Sequence, residues 1–314
     1  MKTIDIHTHG IGGYDTRSTT EDRILKIAEI LGSNGISEII PTIYPSTIKI
    51  MRENMMTIRK AMEKQESIVN SQQSAVKNKN MERPLTPDYR LSTILGLHLE
   101  GPFLNPSKCG ALNAMTFIEL TEYNLRGLLE GFEDIVKIIT IAPEIKGATG
   151  FIKKISDRGI VVSMGHSDAT FSEAEAGLNA GARGITHIFN AMRGFHHREP
   201  GIAGFGLLNK DIYIEVIADP FHLHPKTLEL IFKTKNPGRI IIVSDSVKET
   251  NSPPSPSLKG GAQGRVEAVT DTHGRLLGGS MTIVESSKRL IQMGFDEVVI
   301  MGCITTNPER YLSV

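Results

Sequence analysis

The chain has 314 residues, of which 39% are hydrophobic, and this is enough for one large α/β barrel or two ordinary domains. Lysine plus arginine and aspartate plus glutamate number 35 each, so no global field attracts nucleic acid or an anionic membrane, and an anionic ligand needs a local site. Only two cysteines occur, and no apolar run has the form of a signal peptide or a transmembrane helix, which predicts a cytoplasmic protein without a disulfide framework.

Eight short β-branched runs predict strands, and helical patterns lie between most of them. The predicted strands are Thr3–His7, Glu38–Tyr44, Thr93–Glu100, Val136–Pro143, Ile160–His166, Gly184–Phe189, Tyr213–Asp219 and Arg239–Asp245. The predicted helices are Glu21–Leu31, Thr47–Lys64, Phe117–Gly131, Gly147–Arg158, Thr170–Ala180 and Pro225–Lys233. This alternation implies parallel pairing, and eight units fit a closed (β/α)8 TIM barrel better than an open doubly wound sheet, which remains the alternative.

Two stretches interrupt the alternation. Residues Ser67–Arg90 are polar and rich in Gln, Asn and Lys, which predicts a flexible surface insertion. Residues Lys248–Gly279 contain a Pro-rich run and an alternating pattern near Val266–Val269, which predicts a loop and a hairpin, either a lid over the barrel mouth or a mobile decoration. We therefore expect a single barrel domain over residues 1–314.

Potential metal ligands stand at the C-terminal ends of five predicted strands. The first strand reads "IDIHTHG", and because side chains two apart share one face of a strand, His7 and His9 can enter one cavity. The other strand ends carry Glu100, His166, His187 and Asp245. Each alone has an ordinary structural explanation, but six at one end of one barrel indicate a metal site. Imidazoles and carboxylates without thiolates suit Zn²⁺, and also Fe²⁺, Mn²⁺ or Co²⁺.

Six motifs carry a resemblance over nearly the whole chain: "DIHTHG", "GLHLEGPFLNPSKCGA", "VSMGHSDAT", "THIFNAM", "HHREPG" and "IADPFHLHP", in this order. The sequence resembles the amidohydrolase superfamily and, within it, the N-acetylglucosamine-6-phosphate deacetylase family. The resemblance implies a metal-dependent hydrolase that converts N-acetylglucosamine 6-phosphate to glucosamine 6-phosphate and acetate.

The resemblance also implies a role for each candidate ligand. The principal metal would be bound by Glu100, His166 and His187, and Asp245 at the same strand ends would be the catalytic acid/base. His7 and His9 match members that hold a second metal bridged by the glutamate, whereas other members lack this pair, so one or two ions remain open. In such chemistry a metal-bound water is the nucleophile, and a neighbouring carboxylate carries its proton to the leaving amine.

Substrate contacts follow from the same resemblance. The matching residues are Ala111, Asn190, Ala191, Arg198, His222, Gly279, Ser280 and Met281. Arg198 is the expected phosphate anchor, because a guanidinium pairs bidentately with phosphate, although a solvated arginine paired with Glu199 is the alternative. His222 is also expected to be catalytic, by polarising the acetyl carbonyl.

Two departures from the family pattern stand out. Family members normally carry a small β-sandwich built from segments before the first barrel strand and after the last helix, and neither flank is found here. We therefore expect a bare barrel that covers its exposed surface by forming a homodimer. The family's Gly-X-His motif reads Gly110-Ala111-Leu112, so a substrate-contacting histidine is missing, and the exact sugar and its phosphorylation are left open.

Three functions are compatible with these observations. The first is a deacetylase acting on an amino-sugar phosphate, with a small-molecule substrate and neither nucleic acid nor a membrane as partner. The second is another metal-dependent amidohydrolase, such as a cyclic amidase or deaminase, which would keep the metal site without needing Arg198. The third is a non-catalytic binding protein on the same barrel, supported only by Leu112 and the missing sandwich.

Overall fold

Eight parallel strands form the centre of the fold in the computed structural model, which describes residues 1–17, 19–79, 91–250 and 266–313. The strands are β1 (Ile4–Thr8), β2 (Glu38–Ile43), β3 (Leu97–Glu100), β4 (Val136–Ile141), β5 (Val161–Met164), β6 (Gly184–Ile185), β7 (Tyr213–Ile217) and β8 (Ile240–Val243). All eight predicted strands are confirmed. The third is divided, because a short strand, Thr93–Ile94, pairs with β2 before β3 begins.

The strands pair in chain order from β1 to β8, each parallel to the next. Beyond the end of β8, the Asp245 N–H donates to the His7 carbonyl at 2.9 Å, and the His9 N–H donates to the Ser246 carbonyl at 2.7 Å. These bonds join the last strand to the first at the C-terminal mouth. The fold is therefore a nearly closed TIM barrel, and the open doubly wound sheet is excluded.

The barrel interior changes character along its axis. Ile6, Ile40 and Ile138 are fully buried in an apolar cluster inside the ring. Toward the C-terminal strand ends the interior becomes polar, and His98 Nε2 lies 2.8 Å from Thr140 Oγ1. The metal-ligand candidates thus rest on a hydrogen-bonded polar layer, in which burying a charged group costs less free energy than in an apolar core.

Helices pack around the ring and supply the outer half of the core. They are α1 (Glu21–Ser33), α2 (Ile48–Lys79), α3 (Glu122–Leu129), α4 (Ala148–Ser156), α5 (Phe171–Asn179), α6 (Gly201–Leu208), α7 (Pro225–Thr234), α8 (Ile283–Gln292), α9 (Glu297–Ile304) and α10 (Thr306–Leu312). All six predicted helices are present, with shifted ends. No helix in the described part of the chain is long and apolar enough to cross a membrane.

Two helix boundaries show the largest shifts from the sequence prediction. α2 was expected to end at Lys64, but it continues to Lys79, because residues 65–79 contain neither Gly nor Pro to stop it. Residues 67–79 of the predicted insertion are therefore helical, and residues 80–90 lie outside the described residues. α3 begins at Glu122, since the Thr121 side chain caps it by accepting from Asn124 N–H.

A hairpin lies within the predicted loop-and-hairpin stretch. The Leu277 N–H donates to the Val269 carbonyl, and the Asp271 N–H donates to the Arg275 carbonyl, both at 2.9 Å. Residues 251–265 of the same stretch lie outside the described residues. The hairpin leads directly into α8 and brings residues 275–278 to the barrel mouth.

Candidate active site

Four histidines and two carboxylates meet at the C-terminal mouth of the barrel. β1 and its end supply His7 and His9, and β3 ends at Glu100. The remaining three, which follow β5, β6 and β8, are His166, His187 and Asp245. The histidines and Glu100 are almost completely buried, and the Asp245 side chain is 14% exposed. The structure thus brings together all six ligand candidates identified from the strand ends.

Glu100 stands at the centre of this cluster. Its Oε1 lies 3.0 Å from His187 Nε2 and 3.1 Å from His166 Nε2, and its Oε2 lies 3.1 Å from His9 Nε2. Burial alone would raise the pKa of the Glu100 carboxyl, but the surrounding imidazoles hold this pKa well below its ordinary value. Glu100 is therefore an anion that faces histidines from three different strands.

The backbone at the strand ends is held in an unusual conformation. His166, His187 and Asp245 have φ values of 48°, 29° and 46°, in the left-handed region that side chains other than Gly rarely adopt. Such a conformation costs about 1–3 kcal/mol per residue and persists only where the surroundings enforce it. Its recurrence at three ligand candidates indicates that the barrel mouth is shaped for the site.

The donor set fits a divalent metal. Two groups of side chains place their ligand atoms within 4.8 Å of one another, namely His7, His9 and Glu100, and Glu100, His166 and His187. His7 Nε2 is buried without a hydrogen-bond partner among the described residues, although Asp245 Oδ1 lies 3.4 Å away. A buried nitrogen between carboxylates is costly unless a cation joins them, so each group can hold one ion through the shared glutamate.

In two of the ligand rings, those of His9 and His166, the second nitrogen fixes the orientation of the ring. His9 Nδ1 lies 3.1 Å from the Thr42 carbonyl, and His166 Nδ1 lies 2.9 Å from the Lys108 carbonyl. A carbonyl can only accept, so Nδ1 carries the proton and Nε2 presents its lone pair to the cluster. This is the arrangement that metal-binding histidines adopt.

His222 follows β7 and is oriented by an aspartate. Its Nδ1 lies 2.9 Å from Asp219 Oδ2, which also accepts hydrogen bonds from the N–H and the hydroxyl of Ser280, both at 3.0 Å. Burial would raise the pKa of Asp219, but the hydrogen bond and charge of His222, with the backbone donors, hold it well below its ordinary value. Asp219 is therefore a buried anion that holds His222 at the cavity.

A cavity of about 220 Å³ lies above the cluster. Of the predicted site residues, those lining it are His9, Glu100, Ala111, His166, His187, Asn190, Ala191, His222 and Asp245. Leu112, which replaces the family histidine, also lines the cavity, and so does Arg275 of the hairpin. Five of the six ligand candidates and four of the eight expected substrate contacts therefore face one space.

Four predicted substrate residues do not line this cavity. Arg198 is exposed, with its Nη1 3.0 Å from His197 Nε2, and it does not pair with Glu199, which instead accepts from Phe171 and Gly201 N–H. The other three are Gly279, Ser280 and Met281.

The position of Gly279 has a steric cause. A Cβ there would lie 1.8 Å from the Ser244 carbonyl oxygen, and its N–H donates to the Asp245 carbonyl at 2.7 Å. Gly279 and Ser280 thus fasten the hairpin strand to β8 and to Asp219, and the neighbouring residues Leu276, Leu277 and Gly278 line the cavity instead.

Besides Asp219 and Arg275, three further polar residues of the site were not predicted from the sequence. Glu215 in the middle of β7 is 2% exposed and lies 2.9 Å from His7 Nδ1. His98 is fully buried under the His7 ring, and burial lowers its pKa well below the ordinary value. Tyr44 stacks on His9 with ring centroids 3.8 Å apart. The available signal for Glu215 was a charged residue within an apolar strand, which is rarely buried without a specific partner.

A parallel eight-stranded barrel with histidines and carboxylates gathered at its C-terminal mouth can hold a divalent metal of the kind that assists hydrolysis. Curated proteins and solved structures that are similar to the chain over most of its length include N-acetylglucosamine-6-phosphate deacetylases, which confirms the resemblance found in the motifs. No family model matches the chain.

Two curated relatives illustrate the match. The N-acetylglucosamine-6-phosphate deacetylase of Vibrio furnissii is 28% identical over 289 residues, which are 91% of this chain and 66% of that protein. The N-acetylgalactosamine-6-phosphate deacetylase of Escherichia coli O157:H7 is 27% identical over 314 residues, which are 99% of this chain and 77% of that protein. The chain thus spans about two thirds to three quarters of these relatives.

Solved structures agree on the fold. The deacetylase of Pasteurella multocida superposes with a TM-score of 0.81 at 23% identity, covering 100% of this chain and 76% of that one. The Thermotoga maritima deacetylase gives a TM-score of 0.77 at 26% identity, covering 99% and 77%. A variant of the Mycobacterium smegmatis enzyme in complex with N-acetyl-D-glucosamine-6-phosphate gives 0.78 at 24% identity, covering 100% and 77%.

Proposed function

We propose that this chain is a metal-dependent deacetylase that hydrolyses the N-acetyl amide of N-acetylglucosamine 6-phosphate to glucosamine 6-phosphate and acetate. The observation that carries the proposal is the six-residue cluster centred on Glu100, which opens into a cavity lined by four of the eight expected substrate contacts. The deacetylase names of its homologues support this reaction over a cyclic amidase, a deaminase or a non-catalytic protein.

The metal would be held by Glu100, His166 and His187, with a second ion held by His7, His9 and the shared glutamate. A divalent ion there supplies a Lewis acid for the acetyl carbonyl and lowers the pKa of water from 15.7 to about 7. We propose Zn²⁺ because imidazole and carboxylate donors without thiolates suit it, with Fe²⁺, Mn²⁺ and Co²⁺ as alternatives.

Asp245 would carry the proton. Its Oδ1 lies 3.4 Å from His7 Nε2 and 3.5 Å from His9 Nε2, and its side chain lines the cavity. A carboxylate in this position can take a proton from the attacking water and return it to the amine nitrogen as the C–N bond breaks. Its backbone, fixed by the hydrogen bond to His7, keeps the carboxylate beside the Nε2 atoms of His7 and His9.

His222 would act on the acetyl carbonyl from the other side. With Asp219 bound to Nδ1, a protonated His222 can donate its Nε2–H to the carbonyl oxygen and stabilise the oxyanion. The family histidine at position 112 is a leucine here, so His222 would have to provide this contact without it.

The sugar would be oriented by Ala111, Asn190 and Ala191, which line the cavity, and the phosphate would be anchored by Arg198, which is exposed to solvent and outside the cavity lining. The hairpin strand at Gly279, Ser280 and Met281 would support the sugar through the adjoining cavity residues. We further propose that the barrel is one domain, that it works in the cytoplasm and that it forms a homodimer, the commonest symmetric oligomer.

The proposal is tested by metal analysis combined with an acetate-release assay. The substrates are the N-acetyl derivatives of glucosamine and galactosamine, each with and without a 6-phosphate, and a cyclic amide serves as the competing substrate class. Metal-dependent acetate release that is fastest with a 6-phosphate would support the proposal. The galactosamine substrates are included because the relative from E. coli is an N-acetylgalactosamine-6-phosphate deacetylase. Release of acetate from none of the four sugars would reject deacetylation, and turnover of the cyclic amide would favour the second hypothesis.

A further inference from the structure

Glu215 is a buried charge that the fold by itself does not explain. It lies in β7, where all five residues are buried, and it is 2% exposed. Its Oε2 lies 2.9 Å from His7 Nδ1 and accepts from the His187 N–H at 3.4 Å, whereas Oε1 has no hydrogen-bond partner among the described residues. A carboxylate in such a place costs several kcal/mol unless nearby charge compensates it.

The contact with His7 differs from the contacts of the neighbouring ligands. Nδ1 of His9 and Nδ1 of His166 each face a neutral backbone carbonyl. Among the four ligand histidines and within the described residues, only the Nδ1 of His7 faces a carboxylate, which draws the Nδ1 proton and makes Nε2 a more basic donor to a metal. Second partners of this kind typically change metal affinity by 10- to 100-fold.

The geometry around His7 Nε2 shows where that donor is directed. It lies 3.5 Å from Glu100 Oε1 and 3.4 Å from Asp245 Oδ1, and it has no hydrogen-bond partner among the described residues. Carboxylates offer lone pairs and no proton, so an Nε2 atom held toward them by Glu215 is stabilised by positive charge between them, which a metal ion or a proton on Nε2 can supply. Glu215 contacts the other group, Glu100, His166 and His187, only by accepting a hydrogen bond from the backbone N–H of His187.

We infer that Glu215 is the positioning residue of a second metal site, and that it acts through His7 to make His7, His9 and Glu100 bind an ion beside the one held by Glu100, His166 and His187. This inference deepens the proposed function and rests on the metal centre proposed there. The inference implies that Glu215 supports the binding of only one of the two ions.

The test is the metal content of Glu215→Gln. Glutamine keeps the shape of the side chain and removes its charge. Wild type and variant are stripped, reloaded with Zn²⁺ and dialysed against graded chelator, and metal per chain is measured by mass spectrometry. Titration with Co²⁺, followed by its visible spectrum, reports the environment of each ion without relying on activity. We expect two ions in the wild type, and in the variant one ion retained and the affinity for the other lowered about 10- to 100-fold.

Two controls separate a positioning role from general damage. Glu38→Gln removes another buried carboxylate, on β2 at the opposite end of the barrel, and should leave both ions in place. Glu215→Asp keeps the charge but withdraws it from His7, so it should weaken the same ion even if the glutamine variant fails to fold. Circular dichroism checks folding in each case.

Every result of these metal measurements either supports or overturns the inference about Glu215. Retention of both ions by folded Glu215→Gln and Glu215→Asp, equal loss of both ions, or a single ion in the wild type would overturn the inference. Metal counts do not depend on substrate. Selective loss of one ion from a protein that releases no acetate would therefore sustain the inference and reject the proposed reaction.

Discussion

Replacing Arg198 with alanine should remove most of the preference for a phosphorylated sugar. The guanidinium is exposed and has His197 Nε2 at 3.0 Å, so it can turn toward a ligand without breaking an ion pair with Glu199. A hydrogen bond between charged groups contributes about 1.5–3 kcal/mol. Because Arg198 is exposed to solvent, we expect its contact with the phosphate to contribute the free energy of one such hydrogen bond. A buried guanidinium that pairs bidentately with the phosphate would contribute two. The loss of one such bond corresponds to a loss of roughly 10- to 150-fold in kcat/KM for the phosphorylated substrate.

The assay compares kcat/KM for N-acetylglucosamine with and without the 6-phosphate, in the wild type and in Arg198→Ala. The unphosphorylated sugar should change little, because general damage to the site would slow both substrates alike. An arginine variant that keeps the full phosphate preference would show that Arg198 does not anchor the phosphate.

Arg275→Ala is the matched control. Arg275 lines the cavity, but Asp271 accepts from its Nε at 3.2 Å and the Gly110 carbonyl accepts from its Nη1 at 3.1 Å. Since its charge is already paired, its removal should affect both sugars to a similar degree. Loss of phosphate preference in this variant alone would transfer the anchoring role from Arg198 to Arg275.

Four further predictions follow from the site. The double variant His7→Ala/His9→Ala should bind one ion less per chain, and an unchanged metal-to-protein ratio would mean that this pair is structural. Asp245→Asn should keep the fold and lower kcat by about 10²–10⁴-fold in the acetate assay, and near-normal turnover would remove Asp245 from the mechanism. The pKa of Asp219 is depressed in the folded state, so its stabilisation is present above about pH 4 and is lost as the pH falls. Urea unfolding should accordingly show that the free energy of unfolding of the wild type falls, below pH 4, by up to about 1.4 kcal/mol more per pH unit than that of Asp219→Asn. Parallel curves of this free energy against pH would contradict the prediction. Light scattering should give twice the 34.4 kDa of one chain, and a single species at 34.4 kDa at micromolar concentration would exclude the dimer.

The strands and the ligand cluster could be predicted from the sequence because both depend on local patterns. β8, for example, reads as four consecutive β-branched residues, and a strand buried on both faces needs such a run. Asp245 follows directly, and parallel strands in a barrel bring their C-terminal ends to one mouth. The place of each ligand candidate at the end of a strand therefore predicted its location at the barrel mouth.

The missed helices show where local patterns are insufficient. α6 is apolar and contains three glycines, and every residue from Gly201 to Leu207 is buried, so it lacks the one-sided periodicity that identifies a surface helix. α8 did carry a signal, since Thr282 and Glu285 form a reciprocal capping box. Packing on the barrel determines α6, whereas α8 could have been predicted from its first turn.

The orientation of the imidazoles could not be predicted, because it depends on contacts between residues far apart in the chain. His7 and Glu215 are 208 positions apart, and no spacing rule connects them. β7 ends without a ligand candidate of its own, so a search of strand ends for ligands passes over it. Yet Glu215 within β7 contacts His7 of the ligand cluster, and Asp219 just beyond β7 contacts His222 in the cavity lining. Since one short segment holds both rings, a displacement of β7 would disturb the proposed metal centre and the proposed carbonyl contact together, and this coupling gives a physical reason for one buried carboxylate in β7 and a second just after it.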